Sequence, residues 1–452
     1  MIVRGARCVT PEGIVDADLG VRDCEIVAFG DLRDAPCIGT FDARGLYVFP
    51  GMIDPQVHFR EPGFPDKEDL ESGTRAAVLG GVSSVFEMPN TLPPTTSQEA
   101  FADKWKRAAG RVWCDIAFFV GATPENAHLL AELEAQPGCA GVKIFMGKST
   151  GNLLVHRDED LANVLQHGSR RVAVHAEDEE RLAERKAWIR AGDVSSHPVW
   201  RDPETALRAT RRLLRLAREA GRRVHVLHVT TEAETELLAQ HRDIATFECT
   251  PQHLTLEAPA CYRQLGSLAQ MNPPIREGRH RAALWRALRR GDLDALGSDH
   301  APHTRSEKEA PYPDSPSGMT GVQTMLPLML DHVNRGALSL PRIAELLCRG
   351  PARVYGALRK GELAPGYDAD LTLVDLGKRK QVRDAEIASR CGWSPFAGRW
   401  LTGWPVATFL RGKLVMRDGE ILGAPRGRPV QFEETHAQAS PRGASSRGTE
   451  DG

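Results

Sequence analysis

From about residue 46 to residue 297 the chain repeats one rhythm, a short and nearly continuous apolar run followed by a longer stretch of helical spacing. The runs fall at 46–59, 82–88, 113–120, 141–146, 171–175, 224–229, 244–249 and 293–297. Lacking strict alternation, they suit strands buried on both faces, as in a parallel sheet. The stretches at 67–79, 97–109, 177–191, 203–220 and 279–290 have the period and length of helices. Eight strands alternating with helices predict an α/β fold, a closed (β/α)₈ TIM-like barrel, over 51–355. No internal sequence repeat accompanies the pattern.

The two ends of the chain read differently. Short apolar runs at 1–4, 15–21 and 25–27 are separated by turn residues, and similar runs return at 370–374, 408–410 and 413–415. These predict antiparallel β segments over 1–50 and 356–432 that combine into a small composite β-sandwich domain. The last stretch, 433–452, is rich in Ser, Gly, Glu and Arg and almost free of apolar residues. It is expected to be disordered, because burial cannot offset its ordering entropy.

Composition narrows the function. Of 452 residues, 41% are hydrophobic and 26% charged, and the formal net charge is −2. That is an ordinary globular mix, without the basic excess that marks nucleic-acid or anionic-membrane partners, so a small-molecule ligand is expected. No apolar run has the length of a membrane span, and residues 1–20 carry Arg4, Arg7, Glu12, Asp16 and Asp18 in place of a signal peptide's apolar core. The nine cysteines form no CxxC pair. Free thiols in a reducing cytoplasm are expected, with no thiolate metal site.

The informative residues lie where the apolar runs end, since a barrel of this kind builds its active site at the C-terminal ends of its strands. His58 and Arg60 close the first run and Asn90 follows the second. Lys143 lies inside the fourth, His175 ends the fifth, His228 lies at the end of the sixth, and Asp299, His300 and His303 follow the eighth. Singly, each has an ordinary reading. A lone histidine is usually a hydrogen-bonded core or surface residue, Lys143 can snorkel, and Asp299 can cap a helix. Such readings must coincide at several strand ends, which favours a shared metal site. Neutral imidazoles and a carboxylate suit Zn²⁺, which lowers the pKa of bound water towards about 7. A lysine ammonium is no ligand, but a buried lysine with a depressed pKa can take up CO₂ and become an anionic carbamate.

The segments DPQVHFREPG (54–63), EMPNT (87–91), GVKIF (141–145), PQHL (251–254), NPPIR (272–276) and SDHAPHT (298–304), with His175 and His228, resemble the dihydroorotases of the amidohydrolase superfamily. The similarity runs in order over roughly 45–420, including GELAPGYDADLTLVDL and SPFAG. The resemblance implies reversible hydrolysis of L-dihydroorotate to N-carbamoyl-L-aspartate with one or two Zn²⁺ ions. It makes His58 a ligand of the first metal, Lys143 a carboxylated bridging ligand, and His175 and His228 ligands of the second. Asp299 becomes both a ligand and the catalytic proton shuttle. Arg60, Asn90 and His303 correspond to groups that hold the substrate carboxylate and ring, and Arg276 is a secondary candidate. A homodimer is usual for such relatives. The segment 307–318, rich in Pro, Ser and acidic residues, is a candidate cover for the site.

Two positions depart from the pattern. Gln56 replaces the first histidine of the His-x-His pair, and Gln252 replaces a common histidine in PQHL. An amide oxygen is a weak ligand for Zn²⁺ beside an imidazole. A weakened two-metal site, a one-metal site and a noncatalytic homologue that assembles with aspartate transcarbamoylase all follow from Gln56. A related cyclic amidase, hydantoinase-like or allantoinase-like, is the alternative in substrate.

Overall fold

The computed structural model describes residues 1–148 and 152–433. Eight strands, Met52–Val57, Val82–Glu87, Asp115–Gly121, Cys139–Phe145, Val172–His175, Val224–Val226, Ala245–Cys249 and Ala295–Leu296, pair in parallel in sequence order. The ring closes through a parallel bridge between Val57 and His300, where the His58 amide donates to the His300 carbonyl at 2.7 Å. The strands are almost wholly buried. Helices on the outer wall cover one face and inward side chains fill the other, which is why their sequences read as apolar runs without alternation.

Local chemistry sets several helix ends. The helix Leu70–Leu79 starts at Asp69, whose carboxylate accepts from the Ser72 amide at 2.8 Å. The helix therefore begins three residues later than the apolar spacing at 67–79 predicts. Pro203–Ala220 begins behind Asp202, with proline in its first turn, and ends at Gly221 in the left-handed region (φ +65°). The stretch 177–191 is not one helix. Glu179–Glu184 is α-helical and Arg185–Trp188 is a 3₁₀ turn. Tertiary anchors break it: Arg185 donates to the Val199 carbonyl at 2.7 Å, and the Gly192 amide to the Tyr312 carbonyl at 2.7 Å.

The terminal segments combine into one nine-stranded sheet. Tyr47–Pro50 pairs antiparallel with Leu371–Gln381 and joins the two ends of the chain. Phe41 packs edge-on against Phe409 at 5.1 Å between strands that are not sheet neighbours, so the sheet folds over its own core. Where this sheet meets the base of the third barrel strand, Lys360 Nζ reaches Asp115 at 2.7 Å, Asp368 at 2.9 Å and Asp370 at 2.6 Å. Arg411 adds a second cation on Asp115 at 2.5 Å. Burial would lower the Lys360 pKa, but the three carboxylates hold it well above the usual lysine value. This acidic cluster is thus a structural ion-pair network whose cation is an ammonium.

Beyond Glu433, whose amide donates to the Gly356 carbonyl at 3.0 Å, the tail expected to be disordered lies outside the described residues. Among the described residues no helix is long and apolar enough to cross a membrane.

Candidate active site

At the C-terminal ends of the barrel strands lies a cavity of about 470 Å³. His58, Arg60, Asn90, Lys143, His175, His228, Asp299 and His303 all line it, as does Gln56. Three of these turn sharply out of their strands. Arg60, His228 and Asp299 have φ of 63°, 37° and 46°, a backbone region that costs a non-glycine residue of order 1–3 kcal/mol. A wider groove of about 890 Å³ on the terminal sheet is lined by exposed Arg–Asp pairs such as Arg33–Asp31 and Arg44–Asp42. It offers no imidazole or thiol, so the chemistry belongs to the barrel mouth.

The imidazoles are held in defined orientations. His58 Nδ1 lies 2.6 Å from Asn90 Oδ1 and donates to it, which leaves His58 Nε2 facing Asp299 Oδ1 at 3.2 Å. His175 Nε2 donates to Glu177 Oε2 at 3.0 Å, which turns His175 Nδ1 towards His228 Nε2 at 3.0 Å. Burial alone would raise the Glu177 pKa, but Arg201 and His175 beside it bring it down to about 2. The carboxylate is therefore always charged at neutral pH. Burial pushes the pKa of His58 and His228 downwards and keeps both rings neutral. Neutral rings with one nitrogen fixed by a partner are the form in which histidine binds a metal.

Lys143 Nζ is buried and makes no hydrogen bond, and it lies 4.6 Å from the centre of the Phe145 ring. Burial lowers its pKa to about 7. Beneath it the barrel floor carries Glu248, whose pKa burial raises to about 8. Gly297 makes room for this side chain, because a Cβ there would stand 2.6 Å from Glu248 Oε1 and 3.1 Å from Gln56 Cβ. Gln56 donates from Nε2 to Asp299 Oδ1 at 3.0 Å, and its Oε1 has no partner. The His58–Asp299 pair, the His175–His228 pair and the unpartnered Lys143 line one cavity, and neutral imidazoles with a carboxylate are donors of the kind a divalent cation takes.

Arg60 is anchored by Nε on the Pro302 carbonyl at 3.1 Å, with its NH2 group 3.2 Å from His303 Nε2. Asn90 serves His58 directly, a contact that the sequence pattern did not reveal. Arg276 does not line the cavity. It is buried behind it, donating to the Arg201 carbonyl and to Thr230 Oγ1 at 3.2 Å. Arg201, Trp200, His197 and Lys148 line the cavity instead and carry no motif that would single them out. Glu177 and Glu248 did leave a signal, as charged residues in or beside buried strands. Gln252 lies outside the cavity and donates to the Ser298 carbonyl at 2.7 Å.

The segment 312–318 lines the mouth of the cavity. Lys308 pins it from below, donating to Gln270 O at 3.1 Å and Pro316 O at 2.7 Å, and Lys67 pairs with Glu307 at 2.7 Å.

The amidohydrolase family model matches residues 47–415. A dihydroorotase of Halobacterium salinarum is 38% identical over 425 residues, covering 92% of this chain and 98% of its own length. An L-hydantoinase of Paenarthrobacter aurescens is 34% identical over 93% of this chain and 95% of its own. The solved L-hydantoinase (dihydropyrimidinase) from Arthrobacter aurescens superposes with a TM-score of 0.91 at 32% identity, covering 95% of this chain and 99% of that one. Family model, sequence relatives and solved barrel agree over most of the chain, and the chain belongs to the amidohydrolase family.

Proposed function

We infer that this chain is a metal-dependent cyclic amidase that interconverts L-dihydroorotate and N-carbamoyl-L-aspartate. The observation that carries the reading is the meeting of His58, Lys143, His175, His228 and Asp299 in one cavity that also holds Arg60. Dihydroorotase and hydantoinase relatives support the cyclic-amide class, and a guanidinium in the cavity supports a carboxylated ring over a neutral one.

His58 and Asp299 would hold one ion, and His175 and His228 a second, with Lys143 as a carbamate between them. Zinc suits this donor set and, when bound, supplies Lewis acidity and a water of lowered pKa. The rest of the chemistry belongs to the side chains. Asp299 takes the proton of the attacking water and delivers it to the departing ring nitrogen. Arg60, with His303 against it, clamps the ring carboxylate, and Asn90 keeps His58 in the tautomer that faces the centre. Lys143, with a pKa of about 7, has a large neutral fraction at physiological pH and so can react with CO₂.

Gln56 favours a second reading. Its amide donates to Asp299 Oδ1, on the carboxylate that a metal and a proton would both need. Under that reading the barrel is a noncatalytic partner of aspartate transcarbamoylase. Metal content per chain, with dihydroorotate hydrolysis before and after chelation, separates the two. Bound zinc with chelator-sensitive turnover establishes the enzyme. Absence of metal and turnover, even after zinc and bicarbonate are supplied, leaves the assembly role. Turnover of hydantoin without turnover of dihydroorotate would reassign the substrate.

A further inference from the structure

Arg201 enters the cavity wall from the segment that follows the fifth barrel strand, whereas Arg60 follows the first. In an eight-stranded barrel these strands face each other, so the two guanidinium groups come from opposite walls. Arg201 is only 4% exposed. It is fixed on three sides. Its NH1 group is held by Glu177 Oε2, its guanidinium lies 4.8 Å over the Trp200 ring, and its carbonyl accepts from Arg276. Among the described residues, its Nε and its second amino group have no hydrogen-bond partner.

A buried guanidinium with donors left open is expensive unless a ligand completes it. The ligand follows from the ring that the proposed function places here, and this inference rests on that reading. A six-membered ureide carboxylate carries its three acceptors at alternating corners: the scissile carbonyl, the carboxylate and the urea carbonyl. The histidines, Lys143 and Asp299 take the first corner and Arg60 the second. We propose that Arg201 binds the third, the urea carbonyl, and so makes the site specific for ureides over other carboxylated ligands. The carbonyl stays with the carbamoyl end when the ring opens, so Arg201 holds both substrate and product. Arg276 acts one step back, fixing the Arg201 backbone.

The test uses the metal-loaded full chain and two ligands, N-carbamoyl-L-aspartate and succinate. Both carry two carboxylates, and only the first carries a ureide. Arg201→Lys keeps a cation beside Glu177 but not the fork that serves Glu177 and ligand together. Calorimetric titration is expected to show N-carbamoyl-L-aspartate binding weakened about tenfold or more, with succinate binding and metal content unchanged. In turnover by Arg201→Lys, KM should rise more than kcat falls. Within the unaltered protein, the ureide ligand should bind about tenfold more tightly than succinate, a comparison that needs no variant. Equal loss for both ligands, or no loss for either, would overturn the assignment. Failure of the unaltered protein to bind N-carbamoyl-L-aspartate at all would overturn the parent reading and this one with it.

Discussion

His175 and Glu177 stand two residues apart at the end of the fifth barrel strand, joined by a 3.0 Å hydrogen bond from ring nitrogen to carboxylate. That bond selects the tautomer of His175, and Arg201 in turn keeps Glu177 ionised.

Glu177→Gln should therefore weaken metal binding about 10- to 100-fold while leaving the histidines in place. Competition with a chromophoric chelator measures it. Unchanged affinity would show that Glu177 does not orient the ligand. The same carboxylate has a folded pKa of about 2, below the ordinary glutamate value of 4.5. Its stabilising contribution is complete above about pH 4.5 and is lost as pH falls towards 2. The stability gap between Glu177→Gln and the parent protein should accordingly shrink over that window in denaturant titrations.

Gln56→His should raise zinc stoichiometry or affinity. An imidazole replaces an amide that now donates to Asp299, and it frees Asp299 Oδ1. Elemental analysis after dialysis against limiting zinc reads the change. A drop in bound zinc would show that the glutamine is itself the better partner of this site.

Carbamate formation on Lys143 should follow its pKa of about 7. Only the neutral amine attacks CO₂. With dissolved CO₂ held constant, the ¹³C carbamate signal of metal-free protein should grow as pH rises through 7 and be small well below it. Lys143→Met should abolish the signal. A signal that persists in this variant would place the reactive amine elsewhere.

Lys360→Met should destabilise the fold by about 3–5 kcal/mol, because Asp115, Asp368 and Asp370 would lose their shared ammonium in a buried junction. Urea unfolding measures this. Since the network lies at the base of the barrel, metal content of the folded fraction should not change. A loss below about 1 kcal/mol would mean that Arg411 alone balances the cluster.

Some of this site was legible because its signals are local. Histidine, lysine and aspartate at the ends of apolar runs mark a barrel mouth wherever strands are buried on both faces, as Val172–His175 and Cys139–Phe145 are. Other parts carry no local signal. Arg276 sits in a recognisable segment and yet points behind the cavity, while Arg201 sits in an unremarkable loop and lines it.

By itself the sequence determined the number and order of the barrel strands and the kinds of side chain at their ends. It also marked the place where a glutamine interrupts them. These follow from periodicity and side-chain chemistry, which neighbouring residues settle among themselves. Only the tertiary structure decided that Gln56 occupies Asp299 and that Arg201 rather than Arg276 reaches the cavity. Gln56 and Asp299 are 243 residues apart and Arg201 and Arg276 are 75 apart. Contacts over such separations are fixed by how the strands close into a ring and how the loops pack above it, not by the chain on either side of each residue.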